Sequence, residues 1–173
     1  IETSKYKILF FFFFYISNVN IDELYITYAI LNLFNDYKVV AKGHTREDIC
    51  GVHAKYKNII FADDQNTSSL IEWADIVIFW STSVAIEGYI KDKTMVCLKY
   101  IVGNKNLYAK YDAGYIAHCR DDLVTFLIKY KNEVSFDYNR HGAQNFLNEI
   151  VWAKNQGDSV PNLYLDFMSE HEM

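Results

Sequence analysis

At 173 residues, with a formal net charge of −5 and a pI near 5.5, the chain has the size of one domain and lacks the clustered basic stripe that nucleic-acid binding requires. Hydrophobic residues make up 51% and aromatics 17%, with a single proline, which excludes a disordered chain and leaves no obvious linker; a domain of this length buries about 70% of its unfolded surface, enough for a core without staples. Cys50, Cys97 and Cys119 are odd in number, widely spaced and outside any metal-ligand pattern, so they read as reduced, core-filling thiols of a soluble cytoplasmic protein.

Taken in order, the elements alternate. Lys7 to Tyr15, with its five consecutive phenylalanines, reads as a buried central strand. The apolar run Ile8 to Ile16 is too short for a bilayer crossing, which needs about 20 residues, and it lacks the small-residue cleavage site of a signal peptide. Asn20 then caps a helix with Glu23 in capping-box position, and Leu24, Tyr28, Leu31 and Phe34 fall on one helical face. A strand at Lys38 to Ala41 and a brief helix from Thr45 toward Lys55 follow, then a strand at Asn58 to Phe61. Asp63 to Thr67 form a polar loop, Ser68 to Trp73 a helix, Ile76 to Phe79 a fourth strand, and Ser83 to Ile90 another helix. Thr94 to Leu98 is a fifth strand. A Gly-, Asn- and Lys-rich loop runs from it to Gly114, a short strand covers Tyr115 to His118, and a helix capped near Asp121 reaches Lys131. The last helix covers Gly142 to Lys154, where Gly142 serves backbone conformation or close packing. Residues 1–156 thus read as one Rossmann-like domain and 157–173 as a tail with a short helix after Pro161. Starting at Ile1 rather than Met, the chain reads as a fragment or a processed form.

Strands alternating with helices predict an α/β fold, a parallel sheet with helices on both faces, because parallel strands need right-handed crossovers. Ligands of such sheets sit at the carboxyl ends of the strands. That edge should gather Ser17 and Asn18, then Lys42, Gly43, His44 and Arg46, then Asp63 and Asp64, and finally Ser81, Thr82 and Ser83. The strand Ile76 to Phe79 runs into those three hydroxyls and a helix bearing Glu87, an arrangement suited to a nucleotide: hydroxyls and backbone N–H groups for phosphate, a carboxylate one turn on for sugar hydroxyls. Neither G-x-G-x-x-G nor the P-loop pattern is present. Each residue also has a plainer reading. Ser/Thr clusters before helices are mostly caps, a helical glutamate is usually solvated, and a loop histidine is commonly satisfied by its own backbone. Asp63 and Asp64 shape a turn or cap a helix rather than hold a metal, for want of further carboxylates at ligand spacing.

The run Lys42-Gly43-His44-Thr45-Arg46-Glu47-Asp48, the Asp-rich loop, and Leu70 to Ile78 followed by Ser81-Thr82-Ser83-Val84-Ala85-Ile86-Glu87-Gly88 resemble the carboxyl-terminal domain of GT-B sugar-nucleotide transferases. Bacterial surface-polysaccharide and CDP-glycerol glycerophosphotransferase-type enzymes, with the UDP-N-acetylglucosamine 2-epimerase-like group, are the nearest in pattern. Those families carry a Lys-x-His-Pro-type motif, a "Ser-Ser-x-x-x-Glu" motif after a strand, and a late Gly before a terminal helix. Here Thr45 stands where proline is common, and Trp80-Ser81-Thr82-Ser83 replaces Asp-x-Ser-Ser. The resemblance implies a nucleotide-sugar or CDP-polyol donor as substrate, with no separate cofactor. Ser81, Thr82 and Ser83 would hold its phosphates, Glu87 its ribose, and His44 the phosphate linkage, assisted by Lys42 and Arg46. It also implies that this chain is one half of an enzyme whose acceptor-binding domain is absent or lies on another polypeptide, through which it would reach a membrane. Two other readings stay open: a non-catalytic Rossmann-like interaction module, and a flavodoxin- or receiver-like domain.

Overall fold

Successive phenylalanines on one strand can be buried only if both of its faces are covered, and Phe10, Phe11 and Phe12 are buried in this way. The computed structural model describes residues 6–12, 19–43, 55–62, 64–102, 106–132 and 139–152. Six strands, β1 (Tyr6–Phe11), β2 (Tyr37–Lys42), β3 (Ile59–Phe61), β4 (Ile76–Phe79), β5 (Thr94–Leu98) and β6 (Tyr115–Ala117), form one sheet in the order β3-β2-β1-β4-β5-β6. Every pairing is parallel. This is the dinucleotide-binding order, whose topological switch lies between β1 and β4, and it differs from the 2-1-3-4-5 order of flavodoxin and receiver domains.

The period of two along each strand divides the core. Ile8, Phe10 and Phe12 face one side, with Leu24, Tyr28 and Leu31 of α1 (Ile21–Leu33), Ile101 of α4 (Lys99–Val102), and Leu123, Phe126 and Leu127 of α6 (Arg120–Asn132). Leu9 and Phe11 face the other, with Leu70 and Ile71 of α2 (Thr67–Trp73), Tyr89 of α3 (Ala85–Ile90), Tyr108 of α5 (Leu107–Lys110) and Phe146 of α7 (Arg140–Phe146). Phe10 packs against Tyr28 and Trp80 with centroids 5.3 and 5.8 Å apart, within the range of favourable aromatic pairs. Full burial of each such ring contributes about 1.5–3 kcal/mol.

Local signals account for most boundaries. The Asn20 side chain accepts the Glu23 N–H at 3.2 Å, but the Glu23 carboxylate does not complete the box; it pairs with Arg120 at 3.1 Å and so ties α1 to α6. Asn66 caps α2 through the Ser69 N–H, and Asn139 caps α7 through the Gly142 N–H. A Cβ on Gly142 would meet the Asp112 and Tyr111 carbonyl oxygens at 2.3 and 2.5 Å, so close packing is the reason for that glycine. Past Phe146 the last helix widens into a π-type turn over Leu147–Val151. The stretch after β5, expected to be loop, carries two short helices, α4 and α5; Asn106 caps α5 by accepting the Ala109 N–H at 3.1 Å. The expected helix from Thr45 and the tail after Lys154 lie outside the described residues. Among those described, no helix is long and apolar enough to cross a membrane.

Candidate functional site

Parallel topology sends the end of β4 and the starts of α2 and α3 to the same carboxyl edge. There α2 and α3 flank a groove of about 550 Å³ lined by Asn66, Thr67, Ser68, Ser83, Glu87 and three aliphatic side chains, Val84, Ile86 and Ile90. Of the residues expected from sequence, Ser83 and Glu87 line this groove. Ser81, Thr82 and Lys42 do not, and His44 and Arg46 lie outside the described residues.

Glu87 is the best-defined group in it. The Ser68 hydroxyl donates to Glu87 Oε1, Lys91 Nζ lies 3.0 Å from the same oxygen, and Lys91 also donates to Ser68 Oγ at 3.2 Å. The Ser68 hydrogen bond, then Lys91, hold the Glu87 carboxyl below the usual carboxylate range against the opposing effect of burial. Glu87 is therefore ionised at neutral pH, with Oε1 occupied and Oε2 free of partners among the described residues. Lys91 stands four residues after Glu87, a spacing that could have pointed to it, whereas nothing local points to Ser68, whose approach depends on the α2–α3 packing.

The hydroxyl cluster departs from a plain helix cap. Val84 occupies the cap position of α3 without a side-chain bond, and the first turn closes tightly: Ala85, Ile86 and Glu87 N–H donate to the carbonyls of Thr82, Ser83 and Val84 at 3.1–3.2 Å. The Val84 N–H goes to Thr82 Oγ1 at 3.3 Å. The helix's own first donors are thus spent, and the expected open N–H groups are found one step earlier: those of Ser81, Thr82 and Ser83 meet no acceptor among the described residues. Ser81 and Ser83 are exposed. Tyr108 holds this loop from beneath by donating to the Thr82 carbonyl at 2.6 Å, and Asn106 Nδ2 donates to the Trp80 carbonyl at 2.6 Å. Sequence gave no sign of Asn106 and Tyr108, which belong to the stretch expected as loop.

Lys42, at the end of β2, is 5% exposed and donates from Nζ to the Ala62 carbonyl at 3.3 Å. With the Phe12 N–H on the Lys42 carbonyl and the Ala62 N–H on the Ala41 carbonyl, it braces the carboxyl ends of β1, β2 and β3. Among the described residues no group of three His, Cys, Asp or Glu is placed to hold a metal ion.

No protein-family model matches the sequence, and no curated protein matches it. Solved structures do. The glycosyltransferase SnogD from Streptomyces nogalater aligns over 83% of this chain at 12% identity with a TM-score of 0.54. The glycotransferase of kitacinnamycin aligns over 73% at 12% identity and a TM-score of 0.51. The shared feature is the fold. KpsC, a beta Kdo 2,4 transferase from Thermosulfurimonas dismutans, aligns over 54% at 15% identity with a TM-score of 0.40. The alignments span 38%, 35% and 33% of those chains, so this chain covers about a third of the length of each.

Proposed function

We propose that the chain is the donor-binding half of a GT-B-type glycosyltransferase that takes a nucleotide-sugar or nucleotide-polyol and serves surface-polysaccharide synthesis in the cytoplasm. The observation that carries this reading is the ionised Glu87 on the wall of a groove at the carboxyl edge, with the open N–H groups of Ser81 to Ser83 at the same strand end. Oε2 of Glu87 would accept hydrogen bonds from ribose hydroxyls, charge-assisted and therefore stronger than neutral ones. The Ser81 and Ser83 hydroxyls and the three N–H groups would take the donor's phosphates. Ser68 and Lys91 act through Glu87, fixing its rotamer and charge. His44 and Arg46 would face the phosphate linkage and stabilise the departing nucleotide, while the buried Lys42 braces the ends of β1, β2 and β3. The acceptor and its general base would come from a second domain or a partner chain.

The same bonds also fit a second reading, in which Glu87 merely stitches α3 to α2 on an interaction module. A thermal-shift and calorimetric panel of UDP, CDP, CMP, GDP and ADP separates the two, since a ligand preferring the folded state raises its stability by mass action. One nucleotide should stabilise the chain selectively, and Glu87→Ala should weaken its binding by about 1–3 kcal/mol. Equal affinity in the variant removes Glu87 from the site, and silence across the panel favours the interaction module.

A further inference from the structure

The amino edge of the sheet carries a feature that donor binding does not use. Lys7 of β1 and Lys38 of β2 are direct partners in the parallel register and point to the same face. Both ammonium groups lie 5.8 Å from the centroid of one ring, that of half-buried Trp73 at the end of α2. Like charges directly opposite each other on neighbouring strands repel. Neither lysine has a carboxylate within ion-pair distance among the described residues: Asp75 spends Oδ2 on the Lys7 backbone N–H, Asp36 is held by Lys131, and Asp92 by Arg140. Lys93, by contrast, caps α2 through the Glu72 carbonyl at 2.7 Å, which is an ordinary structural use of a lysine at a helix end.

We propose that this edge is a docking surface for an anionic lipid bilayer, with a lipid phosphate seated between Lys7 and Lys38 beside Trp73. Two observations favour a bilayer over another polyanion, and a third widens the cationic surface. Indole rings with neighbouring lysines suit the headgroup layer, where one end of the side chain is apolar and the other wet. Leu33, the last residue of α1 and so at the same edge, is 75% exposed, which serves a lipid interface and has no use on a nucleic-acid phosphate backbone. Lys57, just before β3, and Lys129, in the last turn of α6, extend the cationic rim, and neither has a partner among the described residues.

The test is co-sedimentation of the full chain with phosphatidylcholine vesicles, with and without phosphatidylglycerol. Binding should require phosphatidylglycerol and fall with added salt, and the double variant Lys7→Gln/Lys38→Gln should bind roughly 20–30-fold more weakly, about fivefold per lysine. Lys57→Gln/Lys129→Gln, at sites remote from the core, should weaken binding by a smaller factor and guards against a folding defect in the first variant. Equal binding to both vesicle types, or unchanged binding in the Lys7/Lys38 variant, overturns the proposal. So does a short single-stranded RNA that displaces the vesicles at comparable concentration.

Discussion

At the carboxyl end of β4, Trp80 and the hydroxyl residues after it are tied down from beneath by Asn106 and Tyr108, whereas at the amino ends of β1 and β2 two lysines stand side by side against one indole. The strands are short, so the two edges are only about 20 Å apart. One edge spends its polar side chains on backbone and on one another. Lys42 goes to Ala62, Ser68 and Lys91 to Glu87, and what remains open is a small, shaped set of donors and one carboxylate oxygen. The other leaves the Lys7 and Lys38 ammonium groups without an ion pair among the described residues. A fixed, mostly satisfied edge suits a ligand of defined shape, and an unsatisfied cationic edge suits a surface that supplies charge from outside.

The sharpest way to break this contrast is to remove an aromatic from each edge. Trp80 is fully buried between Phe10 and the start of the hydroxyl loop, so Trp80→Ala should cost about 3–5 kcal/mol in denaturant unfolding. Trp73→Ala should cost about 1 kcal/mol, since the ring is half-buried and its lysine contacts are worth about 0.5–1 kcal/mol at an exposed site. Equal losses would mean that the amino edge is built as tightly as the carboxyl edge. Next in size, Asn106→Ala removes the 2.6 Å amide donor of the buried Trp80 carbonyl, leaving it the weak Cys97 thiol at 3.9 Å, and should lower stability by about 1–3 kcal/mol. Nucleotide affinity, measured by calorimetry, should fall with it if that bond holds the loop in its binding shape.

Alkaline pH tests both edges together. Burial pushes the hydroxyls of Tyr100 and Tyr108, near the carboxyl edge, up to about 12, and burial, aided by Tyr6, Tyr130 and Asp36, raises Tyr37 at the amino edge as well. These groups are more readily ionised in the unfolded chain, where tyrosine titrates near 10. Their contribution is therefore complete below pH ~10 and is lost as pH climbs toward the folded values. Stability measured from unfolding by circular dichroism should fall from about pH 10 upward, with tyrosinate absorbance appearing as the chain unfolds. Early tyrosinate absorbance in a folded chain would place these rings in water.

How much of this was legible follows from the range of each signal. Strands β4 and β5 emerged at the expected residues because continuous apolar runs such as Ile-Val-Ile-Phe and Met-Val-Cys-Leu suit strands buried inside a parallel sheet. The Asn20 cap was visible for the same reason: it is a contact of three residues. Glu87 and Ser83 stand at the carboxyl edge, as expected, because a strand end followed by a helix fixes their place in the fold. Ser68 and Asn106 were not, since each meets its partner 19 and 26 residues away, across a packing contact that no local period encodes. Helices α4 and α5 were missed because four residues are too few to show a period. The Lys7–Lys38 pair was hidden too, for strand register comes from tertiary packing.

That pair gives the smallest and most pointed prediction. If Lys7 and Lys38 were ordinary solvated lysines, Lys38→Gln would leave stability within experimental error of the parent. If they repel as opposed like charges do, with no ion-paired carboxylate among the described residues, removing one charge should raise stability by a few tenths of a kcal/mol at low salt, as cross-strand pairs are worth about 0.2–1 kcal/mol. The lost contact with Trp73 opposes that gain, and because Lys7 keeps its place on the ring, only one of the two contacts is lost. Salt should erase the gain, since the charges are exposed and screening shortens their reach to about 8 Å at physiological ionic strength. Urea midpoints of parent and Lys38→Gln should therefore differ at low salt and converge as salt rises. A variant less stable than the parent at every salt concentration would mean that the lysines are held in place for the fold, and that the amino edge is as fully satisfied as the carboxyl one.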